Sequence, residues 1–209
     1  MTDNWPWLAV AGLGVFHGVN PAMGWLFAVA LGLHRGGLAT VLTALAPLAL
    51  GHAASVALIA GAFVAGGHLI DARPARAAAG LLLIGWGLYL AVNGHRRRVR
   101  FGLQASMAGL FLWSLLMATA HGAGLMLVPA LGPLCLPGAS AQSATLTAPL
   151  TAALAAVGTH TAAMLIAAGV VATAVYTWIG LAILRTAWVN LDAVWAAALL
   201  GIGALLLIG

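Results

Sequence analysis

The chain has 209 residues, of which 64% are apolar and 5% charged, and its formal charge is +5 at pH 7. Long uncharged stretches recur, each about as long as the 20 residues that a helix needs to cross a bilayer. This composition excludes a soluble catalytic domain and a nucleic-acid-binding module. We therefore expect one integral membrane domain over residues 1–209, surrounded by the lipid bilayer and without enzymatic activity.

Apolar segments separated by polar or glycine- and proline-rich stretches predict six transmembrane helices. In chain order they lie at about 7–33, 38–66, 77–92, 104–131, 149–172 and 194–208. The single cysteine, Cys135, falls in a predicted loop at 132–148 and is expected to be a surface thiol. The stretch at 175–190 carries two tryptophans and Arg185, which favours a helix at the membrane interface, with a seventh span as the alternative.

The arginines predict the orientation of the chain. In a six-span arrangement, six of the eight arginines share one side, and four of those six lie in the basic loop at 95–103. Because positively charged loops favour the cytoplasm, we expect this loop to be cytoplasmic and both termini to be periplasmic.

The first predicted span contains an unusual polar and helix-breaking string from His17 to Met23. Pro21 cannot donate a hydrogen bond to the carbonyl four residues earlier, which is that of His17, and Gly18 loosens the helix further. We therefore expect a helix break that turns the His17 side chain and its freed carbonyl toward a cavity. Asn20 and Met23 are candidate additional ligands on the same stretch.

Four histidines lie within predicted spans, and they form two matched pairs. His17 and His121 each begin a His-Gly step, whereas His52 and His160 each follow a small residue and precede one. The pairs predict two inverted three-helix repeats, at about 5–94 and 104–209, since three spans per copy require the second copy to enter the membrane upside down. Gly122 and Gly124 would loosen the second copy where Gly18 and Pro21 break the first.

Histidines inside a membrane are costly and indicate a functional site. Neutral imidazole suits transition metals such as nickel, cobalt, zinc and copper. We therefore predict one metal site at the bilayer midplane, formed by His17, His52, His121 and His160. Met126 is a further candidate ligand, and three hydroxyl residues are candidate orienting partners: Ser55, Thr159 and Thr161.

The scarcity of acidic residues restricts which substrates the site can bind, because the chain has three aspartates and no glutamate. None of them lies in a confidently predicted span, which disfavours magnesium, manganese, calcium and cationic amino acids. Two alternatives stay open. The four histidines could ligate b-type haem for electron transfer, or they could couple protons to the export of an amino acid or another small solute.

A small polytopic chain with these motifs resembles the LysE superfamily of bacterial transporters, and within it the NicO and nickel/cobalt transporter group. His17 matches the leading histidine of that group's first-helix signature, and the segment Gly51-His52-Ala53-Ala54-Ser55 is similar to its later histidine segment. The acidic member of the signature is absent here. The resemblance implies a bacterial transporter, which we expect in the inner membrane. The inverted repeat predicts alternating access, and we expect a homo-oligomer or a soluble metal carrier of the periplasm or cytoplasm as partner.

Overall fold

The computed structural model describes residues 4–69, 72–93, 106–135, 147–179 and 191–208. The predicted all-helical fold is confirmed, because these ranges are almost entirely helical and contain no strand. The helices in chain order are α1 (Trp5–Val19), α2 (Trp25–Arg35), α3 (Leu38–Leu69), α4 (Ala72–Asn93), α5 (Met107–Ala120), α6 (Ala123–Met126), α7 (Val128–Cys135), α8 (Thr147–Ala174) and α9 (Leu191–Ile208).

Within the described ranges, two segments are long and apolar enough to cross a membrane, Leu38–Gly66 and Thr147–Trp178. At 29 and 32 residues, they would extend over about 43 to 48 Å, which exceeds the roughly 30 Å of a bilayer core. Four shorter apolar helices accompany them: Trp5–Val19, Ala77–Asn93, Met107–Ala120 and Ala193–Ile208. Large apolar side chains such as Leu8, Leu58 and Leu154 are mostly exposed.

The first apolar segment is interrupted between α1 and α2. A short 3-10 turn at Pro21–Met23 follows Asn20, whose side-chain oxygen accepts a hydrogen bond from the Ala22 amide at 2.9 Å. Gly24 then adopts φ 110°, a left-handed conformation that favours glycine, and α2 begins at the next residue. The prediction of a free His17 carbonyl is wrong, since this carbonyl accepts a hydrogen bond from the Asn20 amide at 3.2 Å.

A second interruption divides the segment that begins with α5. The helix ends at Ala120, Gly122 adopts φ 68°, and the short helices α6 and α7 continue the chain. Helix α7 extends through Cys135, so the predicted loop from residue 132 begins too early, and the thiol is buried rather than on the surface. Cys135 belongs to a hydrophobic cluster with members from α1, α3, α5, α6, α7 and α8.

Three helix pairs form the most extensive contacts of the described fold: α1 with α8, α3 with α5, and α4 with α9. Glycine allows close approach in each pair. A Cβ built on Gly14 would overlap the His160 carbonyl, one built on Gly51 would overlap the Phe111 carbonyl, and one built on Gly80 would lie 2.9 Å from the Gly203 carbonyl. Small residues at such crossings are typical of membrane helix packing. Helix α3 also packs on α8, so these two long helices form the centre of the bundle.

The stretch expected to be an interfacial helix is described only at its start. Residues Val175–Ile179 continue α8 as a π-helical turn, so they belong to the fifth apolar segment. Residues 180–190 lie outside the described residues, as do the basic loop at 95–103 and the loop residues 136–146.

Candidate functional site

Three of the four predicted histidines meet where α1, α3 and α8 cross. The ring centroids of His17, His52 and His160 form a nearly equilateral triangle, with separations of 5.3, 5.0 and 5.2 Å. All three side chains are completely buried. Residues from the first, second and fifth predicted spans therefore form one polar centre.

The hydrogen bonds assign the proton on each neutral ring. Nδ1 of His160 lies 3.1 Å from the Val10 carbonyl, so it carries the proton and donates, which leaves Nε2 of His160 as an acceptor. Nε2 of His52 lies 3.0 Å from that acceptor and must be the donor. Nδ1 of His17 likewise donates to the Leu13 carbonyl at 2.7 Å.

This assignment leaves two acceptor nitrogens without partners among the described atoms, Nε2 of His17 and Nδ1 of His52. A buried polar atom without a hydrogen bond costs about 1–3 kcal/mol, so native proteins rarely keep one without a use. Two such lone pairs at one centre favour a ligand that accepts electron pairs, namely a metal ion or a proton.

The triangle is not a preformed metal site. In a tetrahedral site, neighbouring ligand nitrogens lie about 3.3 Å apart and point to one centre. The two Nε2 atoms of His52 and His160 are 3.0 Å apart, but the rings meet nearly head to head in one plane, with an interplanar angle of 14°. Within the described ranges, no group of three or more His, Cys, Asp or Glu side chains is arranged to hold a metal. Metal binding requires His52 to move its proton from Nε2 to Nδ1 and to tilt.

His121, the fourth predicted ligand, lies apart from this triangle. The indole of Trp195 contacts both His17 and His121, with its centroid 4.9 Å from each of the two rings. Both contacts are edge-to-face, at 87° and 82°. Nδ1 of His121 donates to the Met117 carbonyl at 2.8 Å, four residues back, as His17 does with Leu13.

The other candidate ligands also lie outside the triangle. Met23 and Met126 are buried in the hydrophobic cluster that contains Trp195, and the Asn20 side chain caps the 3-10 turn. The predicted ligand set is therefore divided: three histidines form the triangle, whereas His121 contacts the Trp195 indole, which in turn contacts His17.

The predicted orienting hydroxyls have other surroundings. Ser55 exchanges a 2.8 Å hydrogen bond with Thr119, which links α3 to α5. The hydroxyl of Thr161 is buried without a partner among the described atoms, and Thr159 is half-buried beside His160. Gly124, expected to loosen the helix, faces the Ile59 side chain, where a Cβ would lie 2.5 Å from Ile59 Cβ.

Trp195 is the site residue that the sequence analysis missed. Tryptophan near the end of a predicted span is normally assigned to the headgroup level, yet this side chain is only 2% exposed. The sequence held one usable signal, which is that Trp86 in the third predicted span is the counterpart of Trp195. In the structure, Trp86 and Trp195 donate to the carbonyls of Ala120 and His121, respectively. Two indoles thus cap the carbonyl end of α5.

His34 also has a described side chain, and it is exposed at the end of α2 rather than buried with the triangle.

Comparisons with protein-family models, with curated proteins and with solved structures find no match to this chain.

Proposed function

We propose that this protein is a membrane transporter for a transition-metal ion, and that His17, His52 and His160 bind the ion. The observation that carries the proposal is the triangle of three fully buried imidazoles with two unpartnered acceptor nitrogens. Imidazole is a neutral ligand for nickel, cobalt, zinc and copper, so the site can bind such an ion without a buried carboxylate.

The helix pairing supports a six-span, inverted-repeat arrangement. Taking α1–α2, α3 and α4 as the first repeat, and α5–α7, α8 and α9 as the second, each broken first segment packs on the second helix of the other repeat. When the two repeats are exchanged, α1 takes the position of α5 and α8 takes the position of α3. The pair α1 and α8 therefore becomes the pair α5 and α3. The pairs α4 with α9 and α3 with α8 are converted into themselves.

Local geometry repeats in the same sense. His17 and His121 occupy equivalent positions in the broken segments, and the Nδ1 atom of each donates to the carbonyl four residues back. An inverted repeat with a central site provides alternating access when the two repeats move relative to each other. This architecture agrees with the NicO-like resemblance, with a location in the bacterial inner membrane, and with the orientation inferred from the arginines.

The hydrogen bond between His52 and His160 indicates which proton would move before an ion binds. When the His52 proton moves to Nδ1, the lone pairs of both Nε2 atoms become available to one metal ion. His17 then provides its unpartnered Nε2 as the third ligand. No proton needs to leave the protein, because each ring stays neutral.

Cobalt(II) uptake into proteoliposomes, together with equilibrium binding to the purified chain, tests the proposal. We expect His17→Ala and His52→Ala to weaken binding at least about 100-fold, since loss of only an outer-shell partner already costs 10- to 100-fold. The exposed His34 provides a matched control, and His34→Ala should bind and transport like the wild type. Unchanged uptake in the His17 and His52 variants would refute the proposal.

The same preparation distinguishes the two alternatives. A Soret band in protein produced with adequate haem would favour a cytochrome, although His52 and His160 leave no room for a macrocycle between nitrogens 3.0 Å apart. Competition of an amino acid with cobalt(II), together with uptake of that amino acid, would favour a solute exporter.

A further inference from the structure

Trp195 is the side chain that closes one side of the three-histidine site. Its indole packs edge-to-face on His17 and His121 and stacks on Phe16, with a centroid separation of 4.9 Å and an interplanar angle of 6°. Three aromatic contacts and 2% exposure fix this ring in one place. The ring therefore covers His17 and also contacts the half-buried His121.

The position of the indole depends on a helix break. Its Nε1 donates to the His121 carbonyl at 3.0 Å, and that carbonyl lies at the cap of α5. The next residue, Gly122, has φ 68° and starts α6. Rotation about the α5–α6 junction would therefore move the acceptor that holds Trp195, whereas the backbone of α9 need not change.

The surroundings of the indole include soft and polar groups. Met23 and Met126 belong to the same buried cluster as Trp195, and the His121 imidazole contacts the ring directly. These groups suit a transition-metal ion and lie outside the histidine triangle. They offer an approaching ion contacts next to the ring that covers His17.

We propose that Trp195 is the gate of the site, and that it opens toward the α5–α6 break when its hydrogen bond to the His121 carbonyl is released. The proposal rests on the transport function inferred above for its cargo. The gate controls access to His17, and this access can be measured without a metal.

Diethyl pyrocarbonate provides that measurement, because it acylates imidazole nitrogens with a free lone pair, such as Nε2 of His17. The full-length protein in detergent is treated with the reagent, and the His17 peptide is quantified by mass spectrometry. We expect Trp195→Ala to raise the His17 rate about ten-fold or more, as for a local opening made permanent. Trp195→Phe keeps the ring bulk but loses one hydrogen bond, so a rise of about five-fold is expected.

Two controls make the result specific. Trp113→Phe removes a comparable indole hydrogen bond, to the Ala22 carbonyl, and should leave the His17 rate unchanged. Cys135 is 1% exposed, so maleimide labelling of this thiol reports any general unfolding. If Trp195→Ala exposes Cys135, the comparison of Trp195→Phe with Trp113→Phe decides.

The outcomes separate the gate from the proposed cargo. An unchanged His17 rate in the folded Trp195 variants overturns the gate even if the wild type binds cobalt(II). A raised His17 rate in a protein that does not bind cobalt(II) supports the gate and refutes the metal cargo. When both hold, proteoliposomes containing Trp195→Ala should leak cobalt(II) faster than those containing the wild type.

Discussion

Gly14→Ala is the sharpest test of how helix packing holds the site. Gly14 lies on α1 where this helix crosses α8, and an added Cβ would overlap the His160 carbonyl and lie 2.9 Å from Ala163 Cβ. Ordinary contacts begin near 3.4 Å, so the helices must separate by at least 0.5 Å (3.4 − 2.9) at Ala163, and by more at His160. That displacement would weaken the 3.1 Å bond from His160 to the Val10 carbonyl.

The net effect follows from three contributions. Overpacking costs about 1–3 kcal/mol, and loss of the hydrogen bond costs about 1 kcal/mol. Replacing glycine by alanine within a helix returns about 1 kcal/mol. We therefore expect Gly14→Ala to lower the free energy of unfolding by about 1–3 kcal/mol. Cobalt(II) affinity should fall with it, because His160 moves relative to His17.

Gly12 supplies the matched control on the same helix. A Cβ at Gly12 would meet nothing within 4 Å, so Gly12→Ala should be neutral or stabilising by up to about 1 kcal/mol. Unfolding in mixed detergent micelles, followed by circular dichroism, compares the two variants directly. Equal stabilities for Gly12→Ala and Gly14→Ala would refute the close approach of α1 and α8.

Three further predictions concern the polar centre and its supports. In a double-mutant cycle of His52→Ala and His160→Ala, cobalt(II) binding should be strongly non-additive, because either variant alone already breaks the shared site; additive losses would contradict a common site. Ser55→Ala should cost about 1 kcal/mol of unfolding free energy by removing its hydrogen bond to Thr119, with cobalt(II) affinity unchanged; a large loss of affinity would instead place Ser55 in the site. Gly122→Ala should cost about 1–2 kcal/mol in the same unfolding assay, because φ 68° is strained for any residue with a Cβ; a stability equal to wild type would argue against the left-handed turn.

The sequence predicts the helical class and the break at Pro21 well, because both depend on local properties of the chain. Apolar length indicates membrane helices, and proline lacks the donor that a helix needs. The separation of His121 from the other histidines could not be predicted in this way. It depends on the side chain of Trp195 and on contacts between residues far apart in the chain.

Cys135 and the His17 carbonyl illustrate the same limit. Glycine and proline around Cys135 favour a loop, but packing against α1 and α8 continues α7 through this residue and buries the sulfur. Pro21 removes one donor to the His17 carbonyl, yet the adjacent 3-10 turn supplies another from Asn20. In both places a tertiary or turn contact overrides the local tendency.

The packing of α1 on α8 also has a consequence for biosynthesis. His17 leaves the ribosome before its neighbour His160, which follows 143 positions later (160 − 17). Until α8 has packed on α1 and α3, His52 lacks its hydrogen-bond partner, and two glycine faces of α1 stay exposed, at Gly14 and Gly18. Neither half is then a folding unit in itself, and co-expressed fragments divided within 95–103 should assemble into the complete bundle.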